Sequence, residues 1–333
     1  MSELRRPVVG LVLPCFNEEE ALPITVEKLG AELDRLAGIG LIDPRSRIYL
    51  IDDGSTDDTW QIICGFVEAG QPITGVKLSR NHGHQHALYA GLMEADGDAI
   101  ISLDADLQDD IDAIEEMLHL YRQGKEIVFG VRSDRSSDGF FKHWSARGHY
   151  WLSRMMGIET IHNHADFRLM SRRAIEFLRQ YREANLYLRG IVPLLGLESA
   201  VVYFRRSERV AGTSKYDLPR MISLSIQGLT SFSIAPLRFI ALMGVLVFTV
   251  SVVLGVWALA AVVFTDEAVP GWASTVIPIY LLGGLQLLAL GVVGEYIGKA
   301  YMEVKNRPLY QIETTREERT ADGAKADGGP GTG

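Results

Sequence analysis

The hexapeptide Asp104-Ala105-Asp106-Leu107-Gln108-Asp109 stands directly behind the apolar run Ala99-Ile100-Ile101-Ser102-Leu103. A short buried strand that ends in two carboxylates one residue apart offers hard oxygen ligands to a divalent cation. Magnesium or manganese held there would lie against a diphosphate. The same D-x-D spacing also suits a solvated turn, so the cluster alone leaves both readings open. Other polar groups close apolar runs in the same way: Asn17 follows 8–13, Asp52-Asp53-Gly54-Ser55 follows 47–51, and Arg80 follows 74–78. In an open parallel sheet, that carboxyl edge is where ligands bind.

The elements that must position these groups are readable from hydrophobic periodicity. Strands are expected at 8–13, 47–51, 74–78, 99–103 and 126–130, with helices over 19–36, through Trp60, Ile63 and Phe66, over 84–95 and over 111–123. Leu22, Val26, Leu29, Leu33 and Leu36 recur at helical spacing in the first helix. Ser55 or Thr56 suits the cap of the second helix, and Asp109 with Asp110 the cap of the fourth. Strands alternating with helices read as an α/β layered domain with a largely parallel sheet. Neither G-x-G-x-x-G nor G-x-x-x-x-G-K-[ST] is present, so the dinucleotide-oxidoreductase and P-loop readings fall. His82, His84 and His86 alternate without a fourth ligand, and zinc is not expected.

Of the 333 residues 47% are hydrophobic, but they are spread unevenly. Charges are frequent up to about Leu218, then absent from 239 to 265 and again from 268 to 294. Each run meets the ~20 residues that a helix needs to cross a bilayer. Two spans are therefore expected, at about 236–264 and 273–297, joined by the acidic turn Asp266-Glu267-Ala268-Val269-Pro270-Gly271. Lys215, Arg220 and Arg238 precede the pair, and Lys299, Lys305 and Arg307 follow it, which places both flanks in the cytoplasm. The expectation is a multi-pass protein of the inner or plasma membrane with its large domain and both termini cytoplasmic. No secretory signal is apparent, because the apolar run after Arg5-Arg6 breaks at Pro14. Cys15 and Cys64 make no disulfide framework, and a net charge of −9 argues against a nucleic-acid partner.

The expected division is 1–217 for the cytoplasmic domain, 218–234 for an amphipathic interface helix and 235–298 for the membrane hairpin. A juxtamembrane helix over 299–312 and a disordered tail over 313–333 complete it.

The order of motifs resembles the family-2 glycosyltransferases with a GT-A fold (nucleotide-diphospho-sugar transferase, Rossmann-like), specifically the polyprenyl-phosphate glycosyltransferases. The matching segments are Leu13-Pro14-Cys15-Phe16-Asn17-Glu18, Ile51-Asp52-Asp53-Gly54-Ser55-Thr56-Asp57, Ser79-Arg80-Asn81-His82-Gly83-His84-Gln85, the acidic hexapeptide, Asp166-Phe167-Arg168-Leu169-Met170, and Arg209-Val210-Ala211-Gly212-Thr213-Ser214-Lys215-Tyr216. The resemblance implies a GT-A domain, interface helices and a two-helix transmembrane hairpin. It implies a nucleotide-sugar pocket built by Pro14, Asn17, Glu18, Asp52, Asp53, Gly54, His84, Gln85, Asp104 and Ala105, with Arg209, Ser214 and Lys215 closing over the diphosphate.

The resemblance further assigns Asp104, Asp106 and Gln108 to a magnesium or manganese ion. The acceptor it implies is a polyprenyl phosphate, held by Arg132 and Arg147 with Asp166 beside the sugar. A phosphate monoester is already ionised near neutral pH and needs no strong general base. UDP is favoured over GDP by analogy with bacterial members, and a homo-oligomer is the expectation for two-span members. The expected reaction is inverting transfer from a nucleotide sugar to the lipid phosphate. The alternatives are a processive polysaccharide synthase, which would carry Q-x-x-R-W and more spans, and an inactive membrane-anchored scaffold.

Overall fold

The computed structural model describes residues 6–132, 164–183, 186–204 and 272–317, with scattered helical positions between 237 and 257. The expected interface helix at 218–234 and most of the expected first span lie outside these residues. Contacts cluster into two units, Met1–Ser137 with Thr160–Ser214 and Pro308–Gly333, and Asp138–Glu159 with Lys215–Arg307.

The first unit begins with alternating strands and helices: β1 (Val9–Cys15), α1 (Leu22–Gly38), β2 (Arg47–Asp52), α2 (Thr59–Glu68), β3 (Ile73–Leu78), α3 (His84–Glu94), β4 (Ala99–Ser102), α4 (Ala113–Arg122) and β5 (Ile127–Arg132). It continues with β6 (His164–Ser171), α5 (Arg172–Leu178), α6 (Leu188–Leu194) and β7 (Ser199–Phe204). Every residue of β1 is buried, as expected of a strand covered on both faces. In α1 the expected Leu22, Val26, Leu29, Leu33 and Leu36 are all buried against the sheet. At α4 the cap differs from expectation. Asp112 is the N-cap residue and makes no side-chain cap bond, while Asp109 is buried. Ser55 and Thr56 likewise do not cap α2; they bind Asn17 instead.

With β8 (Ile312–Glu317), the eight strands among the described residues form one sheet in the order β7-β5-β6-β4-β1-β2-β3-β8. Its centre, β4-β1-β2-β3, is parallel and brings the carboxyl ends of four strands to one edge. A difference from the largely parallel expectation is β6, which runs antiparallel between β4 and β5. It carries Asp166, Phe167, Arg168 and Leu169, all buried, so it shows no in-out alternation by which a strand is read.

The second unit contains α7 (Trp272–Val304), one continuous helix where a span and a separate juxtamembrane helix were expected. Its segment Leu281–Val304 is long and apolar enough to cross a membrane, and among the described residues it is the one such helix. Leu281, Leu287, Leu288 and Leu290 on it are exposed, the surface that a bilayer would cover. Asn306, with φ of 45°, takes the left-handed conformation that ends helices, and Pro308 follows.

The expected disordered tail is corrected in its first part. β8 (Ile312–Glu317) pairs antiparallel with β3, so the chain returns from α7 to complete the sheet. Lys77 Nζ lies 3.1 Å from Glu313, and the Tyr310 ring packs edge-on against Tyr89 of α3 at 6.2 Å. Tyr310 also donates its hydroxyl to Glu94 at 3.3 Å. A strand with so few apolar side chains is ordered by its partner's backbone and charges, which composition does not display.

Candidate functional site

At the carboxyl edge the loops after β1, β2 and β3 are bound to one another. Asn17, with φ of 57°, donates its backbone N–H to Ser55 Oγ at 3.0 Å and accepts from the Thr56 backbone at 2.8 Å. The Glu18 N–H donates to Thr59 Oγ1 at 2.9 Å. Asp53 accepts from the backbone N–H groups of His82 and Gly83, at 2.7 and 2.9 Å, with both carboxylate oxygens used. Burial pushes the Asp53 carboxyl upward, partly offset by those two bonds.

Gly54 sits under the third loop with φ of +67°, and a Cβ there would stand 2.6 Å from the Arg80 carbonyl carbon. Gly54→Ala is therefore expected to cost about 1–3 kcal/mol, from the left-handed backbone and the clash together. A thermal melt should fall by about 3–10 °C, because the His82–Gly83 loop is displaced.

These loops frame a cleft lined by Pro14, Cys15, Phe16, Glu18, Asp53, Asn81, Gly83, His84 and Ala87. Of the residues expected to bind a nucleotide sugar, Pro14, Glu18, Asp53 and His84 line it. Asn17 and Gly54 are not among its lining; Asn17 ties the first two loops together and Gly54 lets the third approach. Asp52 is fully buried; its Oδ1 accepts from the Ser55 N–H at 3.1 Å, and its Oδ2 has no hydrogen-bond partner among the described residues. Burial raises its pKa. Phe16, 43% exposed at the lip, was not singled out by sequence reasoning although it lies inside a recognised motif.

The acidic loop is built by alternation. Leu103, Ala105 and Leu107 are buried in the core, which turns the intervening Asp104 and Asp106 outward to partial exposure. Leu107 adopts φ of 51°, unusual for a branched side chain and tolerated here because the residue is anchored by burial. The Ala105 carbonyl accepts from Thr25 Oγ1 at 2.7 Å, so this residue is part of the scaffold. Gln108 is buried and donates its side-chain amide to Asp106 Oδ2 at 2.6 Å, holding that carboxylate in place. Among the described residues no group of three or more His, Cys, Asp or Glu side chains is arranged to hold a metal. Two carboxylates still fit magnesium or manganese, which keep waters and take further oxygens from substrate phosphates.

Beside the acidic loop Asp166 forms a hub. Its Oδ1 accepts from Arg168 at 2.7 Å and from Arg189 Nε at 3.2 Å; its Oδ2 accepts from Arg189 Nη2 at 3.0 Å and from Gln85 Nε2 at 3.2 Å. His84 Nε2 lies 3.4 Å from Asp166 and 3.8 Å from Asp104, linking hub to acidic loop. Burial alone would raise the Asp166 carboxyl, but the His84 hydrogen bond and the two guanidinium groups hold it well below the usual carboxylate range. Burial also opposes charge on His84, and Asp166 and Asp104 more than offset it, so its pKa is raised. Arg168 is itself fully buried and donates to the Leu188 carbonyl at 3.2 Å. The resemblance implied Asp166 beside the sugar, and sequence reasoning missed Arg189, which belongs to no recognised motif. Arg132 ends β5 with its side chain outside the described residues, and Arg147, Arg209, Ser214 and Lys215 lie outside them altogether.

The family model described as Glycosyl transferase family 2 matches residues 11–179, the span that holds all of these strand-end loops. The chain belongs to glycosyl transferase family 2.

This family-2 chain is 48% identical over 310 residues to the "Uncharacterized glycosyltransferase YkoT" of Bacillus subtilis (strain 168), covering 92% of each. It is 39% identical over 306 residues to the "SfII prophage-derived bactoprenol glucosyl transferase" of Shigella flexneri, covering 92% of this chain and 97% of that one. The "Prophage bactoprenol glucosyl transferase homolog" of Escherichia coli (strain K12) is 37% identical, covering 93% and 99%. The mixed sheet with its carboxyl-edge cleft is accordingly a GT-A-like fold, and the protein is a glycosyltransferase.

Proposed function

We propose that the protein transfers a sugar from a nucleotide sugar to a polyprenyl phosphate at the cytoplasmic face of a membrane. The observation that carries this reading is the state of Asp166. A hydroxyl acceptor needs a base to take its proton, yet Asp166, the buried carboxylate beside the acidic loop, is engaged by cationic and amide donors and held ionised. Such a site suits an acceptor that is already an anion, and the bactoprenol transferases named above support the same class.

In this mechanism a phosphate oxygen of the lipid attacks the anomeric carbon, and the bond to the nucleoside diphosphate breaks with its electron pair leaving on the diphosphate oxygen. The configuration inverts. The cleft at Pro14, Phe16 and Asp53 receives the nucleotide, with a UDP-sugar favoured. Asp104 and Asp106 would hold magnesium or manganese, and Gln108 would orient Asp106. When bound, the ion acts as a Lewis acid toward the charge that gathers on the leaving diphosphate. Arg132 and Arg147 hold the lipid phosphate, and Arg209, Ser214 and Lys215 close over the diphosphate.

Sheet connectivity supports a multi-pass arrangement. β7 and β8 belong to one hydrogen-bonded sheet and so lie on the same side of any membrane. The chain between Phe204 and Ile312 must then cross an even number of times, and α7 as one span calls for another between Phe204 and Trp272. The charge-free run 239–265 is long enough to supply it. A cysteine placed at Ala268 in intact cells is expected to react with a membrane-impermeant maleimide, and one placed at Glu313 is not; labelling of both or of neither would refute the hairpin, and the reverse pattern would refute its orientation.

Transfer itself is tested with the purified full chain, undecaprenyl phosphate, magnesium or manganese and a panel of nucleotide sugars. The expected product from an α-linked donor is a β-linked glycosyl phosphate, read from the anomeric coupling in its NMR spectrum. An α-linked product would overturn direct displacement.

A further inference from the structure

Asp166 has its nearest counter-charge in Arg168, whose side chain is 1% exposed and 2.7 Å away, so Arg189 is not needed to neutralise it. Arg189 approaches to 3.0 Å from the open side, its side chain 40% exposed, and also lies in the field of the Asp104 carboxylate. Arg189 engages Asp166 as a fork, through Nε and Nη2, and among the described residues its Nη1 has no hydrogen-bond partner. The fork fixes the plane of the guanidinium, so the direction in which Nη1 points is set in advance. A guanidinium held in this way is pre-organised for a phosphate oxygen. His84, from the cleft lining, touches the same Asp166 and reaches Asp104, so this free edge opens beside the acidic loop.

We infer that Arg189 is a phosphate-binding residue of the transfer site, with Asp166 serving to position it. The inference rests on the proposed function for the identity of the phosphate, which is either the donor's diphosphate or the acceptor's lipid phosphate. In either case Arg189 places a fixed positive charge where negative charge is handed from acceptor to leaving group, and Asp166 acts through it.

The test uses the full chain with Arg189→Ala and Arg189→Lys. Binding of UDP and GDP with magnesium, measured by calorimetry, reads the donor source. The KM for undecaprenyl phosphate at saturating donor reads the acceptor source. Loss of one charge-assisted contact is expected to weaken one of the two by about tenfold or more. Added guanidinium should restore part of the Arg189→Ala loss, which a merely structural role would not show. Arg189→Lys keeps the ion pair with Asp166 but not the fork, and should show the same loss; it also serves if the alanine variant does not fold. Both constants within twofold of wild type, or a loss that guanidinium leaves unchanged, would overturn the inference. If the wild type transfers no sugar to the lipid but nucleoside-diphosphate binding still depends on Arg189, the proposed acceptor fails and the inference stands.

Discussion

Asp106→Asn in the purified full chain is expected to lower sugar transfer by about 100-fold or more while leaving the melting temperature within a few degrees of wild type. The asymmetry follows from where Asp106 sits. Its neighbours Ala105 and Leu107 carry the packing of the loop, and Asp106 itself is turned outward. Its two carboxylate oxygens accept separately from the backbone N–H and the amide of Gln108, two residues away, and an asparagine keeps one of these acceptors while the packing of the loop is untouched. What is lost is one anionic oxygen toward a cation, so the defect should appear in turnover and in magnesium dependence rather than in stability. Transfer at the wild-type rate would remove Asp106 from the metal site.

Asp166→Asn is expected to have the opposite signature, with stability and activity falling together. It would leave the fully buried Arg168 without its counter-charge, and breaking a buried pair in this way costs about 3–5 kcal/mol. For a domain of this size that lowers a thermal midpoint by roughly 10 °C. The pH dependence has a definite sign. The folded-state pKa of Asp166 is depressed, so its stabilisation is fully present above the ordinary carboxylate pKa of about 4 and is lost only as pH falls through the lower folded value. The stability gap between wild type and Asp166→Asn should therefore widen as pH falls through the raised His84 pKa toward about 6.5, because Asp166 stabilises the imidazolium, and should close only in acid below about pH 4. A gap that closes between pH 8 and 6 would show that some other group carries the effect.

Much of this site was legible in the sequence because it is local. The strands β1 to β5 are continuous apolar runs bounded by turn residues, and the groups that follow them must fall at one edge of a parallel sheet. What was not legible is long-range. Asp52 and Asp53 are adjacent, chemically identical and both buried, yet one keeps an oxygen without a partner among the described residues and the other is spent on the His82–Gly83 backbone. That division depends on where the loop after β3 lands. β6 escaped notice because Asp166 and Arg168 neutralise each other inside the sheet, which no hydropathy pattern reveals. β8 escaped notice because Ile312-Glu313-Thr314-Thr315-Arg316-Glu317 reads as polar tail until β3 is set beside it, with Lys77 and Arg47 facing its glutamates. Arg189 belongs to no motif and is found only through the carboxylate it shares with Arg168.

The central claim is that the nucleophile is a lipid phosphate, and one comparison tests it most directly. The full chain in detergent is given a labelled nucleotide sugar, magnesium or manganese, and either undecaprenyl phosphate or undecaprenol of the same length. Label is expected to enter the solvent-extractable lipid with the phosphate and not with the alcohol. Equal labelling of both acceptors, or label entering a polymer with none in the lipid, would contradict it.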